Sequence, residues 1–273
     1  MFQSFSLHQI SHIESIPFEP EIYSKFKFGD GAAARLMGTQ LGKSFIATYQ
    51  HLLLNGQEIV VVPSPYNSIP TASHTMAMYF KDELNFFLYQ HKKKSLLDSK
   101  IHRYKTYSAD YGNLSYEDRV NLISSDTYHI DKAFLTNRTV LLIDDIKITG
   151  SHELILRRLI EANAIEGNFI FVYYAALANN KIEPHFENYL NYFYVKDLTF
   201  LVNIIKAESF VFNTRIIKYI LNSEAGCMPE FIEKIAKEKL NTLIVYAISN
   251  DYHLMDEYKN NLQLIIQFTN YGN

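Results

Sequence analysis

Three short apolar runs in the chain have the pattern of strands that are buried on both faces. Residues 59–62 and 140–143 are continuous aliphatic runs, and residues 169–174 combine aromatic with β-branched side chains. Each run is four to six residues long, which is typical of a strand and short for a helix. The pattern therefore predicts at least three buried strands.

Apolar residues at helical spacing lie between these runs. They predict helices over residues 32–49 and 72–89. A further helix is expected after Gly150, where Glu153 and Arg157 have the spacing of an ion pair and Asn163 is a typical C-terminal stop. The succession of strand, turn, helix and strand is a βαβ unit, so we predict an α/β fold with a parallel sheet.

Beyond about Tyr194 the periodicity is helical and no strand signal is found. We predict an α/β domain over residues 1–194 and a helical C-terminal extension over residues 195–273, in which Pro229 stands where a first-turn proline is expected. The extension carries an apolar stripe formed by Phe210, Phe212, Ile216, Ile217 and Ile220. Because this stripe is too large to leave in water, we expect the extension to pack on the domain or on a partner subunit.

Composition restricts the class of protein. Nearly half of the 273 residues (48%) are hydrophobic, which is enough for a large core, and the net charge of −3 argues against a nucleic-acid or membrane partner. The single cysteine, Cys227, excludes an intramolecular disulfide and fits a reducing compartment. No signal-peptide pattern is present, and the longest apolar run is far shorter than the ~20 residues of a membrane span. We expect a soluble, cytoplasmic protein.

Two adjacent acids, Asp144 and Asp145, close the second strand run in the stretch TVLLIDDIKITGSH. Ligands of open α/β sheets bind beyond the carboxyl ends of the strands, so we expect both acids on the rim of the sheet. The amides of residues 149–152 would point outward at the positive end of the next helix, where the hydroxyls of Thr149 and Ser151 add donors for a phosphate. The pattern indicates either a sugar-phosphate site or an ordinary N-capped helix with two solvated aspartates.

This stretch resembles the signature for 5-phosphoribosyl 1-pyrophosphate (PRPP) in the type I phosphoribosyltransferases. The resemblance implies the parallel-sheet fold of the type I phosphoribosyltransferases. It also implies that Asp144 and Asp145 bind the ribose hydroxyls. It also implies a loop for the 5-phosphate, formed by Ile148, Thr149, Gly150, Ser151 and His152. Family members usually have Thr, Ser or Asp in place of Ile148, and Thr or Ser in place of His152. His152 can still bind phosphate through its amide and, when protonated, through its ring.

A second stretch, VVPSPYNSIPTA at residues 61–72, resembles the pyrophosphate loop of the same enzymes, particularly of orotate phosphoribosyltransferase. The resemblance implies a loop formed by Ser64, Pro65, Tyr66, Asn67 and Ser68. Asn67 stands where Lys is common and Ser68 where Gly is, so the loop has less charge for the leaving pyrophosphate. Such loops often contain a non-proline cis peptide, which we predict at Pro65–Tyr66. The alternative is an ordinary polar turn.

Two further stretches, KFKFGDGAAARLMGTQLG and RYKTYSADYGNLSYEDRVNL, resemble the competence protein F branch of the family. The first contains Lys27, and the second would form a mobile hood over the substrate. The resemblance and the local positive charge assign four residues to the hood: Arg103, Lys105, Thr106 and Arg119. The remainder of the basic run at residues 91–105 is interpreted as a solvated face. The helical extension is similar to those of phosphoribosyltransferases from tellurite-resistance operons.

The resemblance implies an enzyme that transfers the phosphoribosyl group of PRPP to a small nitrogenous acceptor, or runs the reverse reaction. Its cofactor would be Mg²⁺, held mainly by phosphates and waters and reached indirectly by Asp144 and Asp145. A second hypothesis is a non-catalytic sensor of PRPP or nucleotides, favoured by Ile148 and Asn67. A third is an accessory role in DNA uptake, by analogy with competence protein F. The oligomeric state stays open, with a homodimer as one candidate.

Overall fold

The computed structural model describes residues 1–104, 128–178, 182 and 185–270. Its strands are β1 (Phe2–Ile10), β2 (Ile59–Pro63), β3 (Leu97–Asp98), β4 (His102–Arg103), β5 (Tyr128–His129), β6 (Arg138–Lys147) and β7 (Gly167–Leu177). Five of them form a central parallel sheet with the order β1-β7-β6-β2-β3, beside a short antiparallel pair of β4 and β5. The predicted α/β class with a parallel sheet is confirmed.

Helices cover both faces of the sheet. The helices of the first part are α1 (Pro20–Lys27), α2 (Gly31–Leu54), α3 (Ala72–Gln90), α4 (Lys132–Leu135), α5 (Ser151–Ala162) and α6 (Phe186–Asn191). Those that follow are α7 (Leu198–Lys206), α8 (Thr214–Leu221), α9 (Met228–Glu233), α10 (Lys237–Ser249) and α11 (Lys259–Thr269). Helices α2, α3 and α5 agree with the sequence prediction, and Asn163 is the residue that ends α5.

The core forms two layers because successive strand residues point to opposite faces of the sheet. Leu141 and Ile143 of β6 pack with α1, α2 and α3, whereas Val140 and Leu142 pack on the opposite face with α5. This double burial explains why the strand runs are continuously apolar. The first strand, β1, was not predicted, because it is an edge strand with polar and half-buried residues and therefore lacks that pattern.

The C-terminal helices pack on the first part of the chain. Their hydrophobic cluster also takes in Phe28, which follows α1, and Ile69, which follows β2. Backbone hydrogen bonds join the two parts, from the amide of Val211 to the carbonyl of Gly29 at 2.9 Å and from the amide of Thr214 to the carbonyl of Pro70 at 2.9 Å. The predicted apolar stripe is buried at Phe212, Ile216, Ile217 and Ile220, and partly buried at Phe210. The expected packing is confirmed.

Two glycines allow this close approach. A Cβ atom at Gly29 would lie 2.3 Å from the carbonyl oxygen of Val211, and one at Gly31 would lie 1.9 Å from that of Ser209. Gly31 is the first residue of α2, where most residues are accepted, so its small size is required by the extension and not by the helix.

Within the described part of the chain, no helix has the length and hydrophobicity to cross a membrane.

We predict that Gly31→Ala destabilises the protein by about 1–3 kcal/mol, because the added methyl group overlaps the backbone of the extension. The matched control is Gly226→Ala in the 3-10 turn Ala225–Cys227, where an added Cβ meets no described atom within 4 Å. Urea unfolding of both variants measures the difference. Equal stability of the two variants would contradict the close docking of the extension.

Candidate functional site

Strand β6 continues past the two acids. The sequence pattern predicts that the two acids close the strand, but β6 continues to Lys147 and stays paired with β7, with Asp144 opposite Tyr173. On its other side β2 ends at Pro63, opposite Ile143. The acids therefore lie within β6, at the point where its second neighbour in the sheet has ended.

Because the acids are consecutive in a strand, their side chains point to opposite faces of the sheet. Asp145 points toward α1, where it forms an ion pair with Lys27 and accepts a hydrogen bond from the Tyr23 hydroxyl at 3.0 Å. Burial raises the pKa of Asp145, while Lys27 acts in the opposite direction. With 5% of its surface exposed, Asp145 does not lie on the rim, so that expectation is wrong for this residue. To accept a hydrogen bond from a ribose hydroxyl, as predicted, Asp145 would have to give up its contact with Lys27 or Tyr23.

Asp144 points toward α5 and is the more exposed of the two acids. Its carboxylate accepts a hydrogen bond from the Ser64 hydroxyl at 2.6 Å and lies 2.9 Å from Nδ1 of His152. Burial alone would raise the pKa of Asp144, but the contacts with His152 and Ser64 and the charge of Lys27 lower it to about 2. Asp144 is therefore ionised at neutral pH. The structure brings one residue of each predicted loop to this single carboxylate.

The predicted phosphate loop turns at Gly150, which has φ +73° and precedes α5. That left-handed conformation favours glycine, so the loop depends on this residue. The hydroxyls of Thr149 and Ser151 lie 3.0 Å apart at the start of the helix. Ile148 packs against the core cluster between the sheet and α1–α3. The apolar residue at this position thus has a packing role.

Lys147 lies beside the predicted phosphate loop, and the sequence pattern does not single it out. Its Cε atom would lie 3.3 Å from a Cβ atom at Gly150, so the side chain runs under the turn. Its ammonium group is 2.7 Å from Glu153, which also pairs with Arg157 at 2.6 Å as predicted. In the sequence, Lys147 lies between a predicted strand and a predicted loop, where no pattern indicates its direction. Its position under the turn is seen only in the folded structure.

The predicted pyrophosphate loop follows β2. All peptide bonds among the described residues are trans, so the cis bond predicted at Pro65–Tyr66 is wrong. Tyr66 instead forms a bridge with His102, and its carbonyl accepts a hydrogen bond from the amide of Arg103 at 3.2 Å. The amide of Ser68 donates to Oδ1 of Asn250 at 3.1 Å. The loop is therefore extended against β4 at one end and held by the C-terminal helices at the other.

Lys100 brings positive charge to this loop. Its ammonium group lies 3.8 Å from the centre of the Tyr66 ring and 2.5 Å from the carbonyl oxygen of Asn67. Burial lowers the pKa of Lys100. The charge pattern of this basic stretch predicts a solvated face, because spacing alone does not show that Lys100 reaches a loop more than thirty residues earlier. Lys100 thus places a positive charge at Asn67, the position where the pyrophosphate loop of type I phosphoribosyltransferases commonly has a lysine.

Of the residues assigned to the hood, the structure describes Arg103, which lies in β4 beside the pyrophosphate loop. Lys105, Thr106 and Arg119 lie outside the described residues. The backbone of Arg103 contacts Tyr66, and the assignment of these four residues to a hood stays a prediction.

Comparison with known proteins identifies the family. The sequence model of the family described as PRTase ComF-like, of phosphoribosyltransferases, matches residues 1–265. The chain therefore belongs to this family, and the match includes the C-terminal helices. The fold is that of the type I phosphoribosyltransferases, as the resemblance implied.

Other comparisons are weaker. Among solved structures, the chain is similar to a hypoxanthine phosphoribosyltransferase from Staphylococcus aureus, with 14% identity over 56% of this chain and 77% of that chain and a TM-score of 0.33. That similarity is too low to support a functional argument. No curated protein matches the chain.

The two acids should respond differently to substitution. Asp145→Asn leaves the buried Lys27 ammonium without its counter-ion, so we expect a loss of about 3–5 kcal/mol in the free energy of unfolding. Asp144→Asn keeps an oxygen acceptor for Ser64 at a partly exposed position, and we expect a loss of about 1 kcal/mol or less. Urea unfolding at neutral pH tests both variants. Similar losses would show that Asp145 and Lys27 do not form a buried pair.

Proposed function

We propose that the chain is a phosphoribosyltransferase that binds PRPP and transfers its phosphoribosyl group to a small nitrogenous acceptor, or runs the reverse reaction. The observation that carries this proposal is the environment of Asp144. An ionised carboxylate is held between Ser64 of the pyrophosphate loop and His152 of the phosphate loop. This arrangement suits a ligand with a hydroxyl-bearing ring between two phosphate groups.

Each part of the ligand has a matching group in this arrangement. The 5-phosphate would accept hydrogen bonds from the amides of residues 149–152 at the start of α5, with the Lys147 ammonium close to the turn. The ribose hydroxyls would donate to Asp144 in place of Ser64 or His152. His152, once released from Asp144, remains beside the phosphate loop and can donate to the phosphate. The pyrophosphate would lie along residues 64–67, near the Lys100 ammonium.

The donor set fits Mg²⁺ as a partner of the substrate. Within the described ranges, no group of three or more His, Cys, Asp or Glu side chains could hold a metal ion. Asp144 is an ionised carboxylate with some exposure, whereas Asp145 is already paired with Lys27. Mg²⁺ would therefore be held mainly by pyrophosphate oxygens and waters, with Asp144 near it. When bound, it would neutralise the charge that develops on the leaving pyrophosphate.

A second candidate is a PRPP- or nucleotide-binding protein without turnover. Two observations favour it: the Ser68 amide is already bonded to Asn250, and Ile148 is partly buried against the core cluster, at the position where some relatives use an acid near the nucleophile. Both reduce the groups that can assist departure of the pyrophosphate. Neither removes the Asp144 carboxylate or the amides of residues 149–152, so the two candidates share the same binding site.

We predict that the protein binds PRPP in the presence of Mg²⁺ and that Asp144→Asn weakens this binding about 10- to 100-fold, because charge-assisted hydrogen bonds to the ribose are lost. Isothermal titration calorimetry measures the affinity. The matched control is Asp98→Asn, which removes an exposed carboxylate paired with Lys81 on the edge strand β3. Equal affinity of Asp144→Asn and the parent protein would refute the site.

The same preparations distinguish the two candidates. Release of pyrophosphate from PRPP, assayed with a panel of nitrogenous bases and amines, supports the transferase. Binding of PRPP without release across that panel supports the sensor.

A further inference from the structure

The C-terminal part of the chain holds the last residue of the pyrophosphate loop and the two residues that follow it. The amide of Ser68 donates to Oδ1 of Asn250 at 3.1 Å, and its hydroxyl donates to the carbonyl of Ser249 at 2.9 Å. The next two carbonyls, of Ile69 and Pro70, both accept hydrogen bonds from Thr214 at 2.9 Å. With a second bond from the Thr214 hydroxyl to the carbonyl of Pro70 at 3.2 Å, five hydrogen bonds tie the consecutive residues 68–70 to the extension.

Asn250 is built into this contact. It follows α10 and is 2% exposed, and its backbone amide bonds back to the carbonyl of Tyr246 at 3.2 Å. Its Nδ2 atom donates to the Tyr252 hydroxyl at 3.3 Å, which leaves Oδ1 directed at Ser68. Tyr252 is fully buried and packs on Tyr258 with ring centres 5.0 Å apart. The carboxamide is thus fixed on both sides before any ligand binds.

We propose that Asn250 is a positioning residue for the pyrophosphate loop, an inference that rests on the proposed function. By anchoring Ser68, it holds residues 64–67 beside Asp144 in the shape that receives a diphosphate. A short loop without regular hydrogen bonding loses conformational freedom when it binds a ligand. Anchoring one end in advance reduces that loss. The extension would in this way complete the site from the same chain.

The position of Asn250 predicts for which ligands the binding affinity should depend on this residue. The 5-phosphate loop and Asp144 lie on β6 and α5, and the contacts described for them do not involve the extension. The Ser68 anchor acts on the loop after β2. Loss of Asn250 should therefore weaken ligands that carry a pyrophosphate and leave ribose 5-phosphate unaffected. A merely structural role would weaken both ligands together.

The test compares Asn250→Ala with Asn261→Ala. Asn261 is a second buried asparagine of the extension, 6% exposed, whose Nδ2 donates to the carbonyls of Leu221 and Ser223 and not to the loop. Calorimetry with Mg²⁺ measures the affinities for PRPP and for ribose 5-phosphate. We expect Asn250→Ala to weaken PRPP about three- to tenfold, the range of one hydrogen bond, with ribose 5-phosphate unchanged. Asn261→Ala should change neither affinity, although both variants lower the melting temperature.

Should Asn250→Ala fail to fold, Tyr252→Phe loosens the same carboxamide with a smaller change, and the selective loss for PRPP is expected again. Unchanged or increased PRPP affinity would overturn the inference, as would equal losses for the two ligands or the same loss in Asn261→Ala. A parent protein that binds neither ligand refutes the proposed function itself. A parent protein that binds both, with an unaffected Asn250→Ala variant, refutes this inference alone.

Discussion

A carboxylate cannot be buried without a partner that compensates its charge, and β6 carries two carboxylates in succession. The alternation of the strand sends Asp145 to the α1 face and Asp144 to the α5 face. Lys27 compensates Asp145 within the protein, and this frees Asp144 to face the loops. The carbonyl of Lys27 also accepts a hydrogen bond from Asn213 of the extension at 3.2 Å. The sheet and α1 are therefore joined by one buried ion pair, and the extension contacts the backbone of the lysine in that pair.

The C-terminal extension is an integral part of the fold, because it packs close to this ion pair and to the loop after β2. It packs on the residues that follow α1 and on those that follow β2, the two places where the site is anchored. The match of the family over residues 1–265 includes these helices. The boundary between the α/β domain and the extension, placed between residues 194 and 195 from the helical periodicity, stays a prediction. The close contacts at Gly29 and Gly31 indicate that the two parts are fitted to each other.

The sequence predicted the elements whose signal is local. The three buried strands, the helix that follows Gly150 with its end at Asn163, and the pair of Glu153 with Arg157 depend on spacing within one element. Strand β1 lacked a signal because an edge strand is buried less completely. The end of β6 was placed too early, because pairing with β7 and not hydrophobicity carries it to Lys147.

The missed functional contacts join residues that are distant in the chain. Lys27 with Asp145, Lys100 with Asn67 and Asn250 with Ser68 each depend on the packing of separate elements. No spacing rule connects such residues, although family resemblance did single out Lys27. The cis peptide was predicted from resemblance at a loop that departs from the pattern at Asn67 and Ser68, and here the extended bridge to His102 is found instead.

In the proposed site, Asp144 and not Asp145 faces the ligand. A crystal structure with ribose 5-phosphate tests it most directly. We predict the phosphate on the amides of residues 149–152 and a ribose hydroxyl within hydrogen-bond distance of Asp144, with Asp145 still paired to Lys27. A phosphate bound elsewhere, or a ribose held by Asp145 after release of Lys27, would refute the assignment of Asp144 to the ligand.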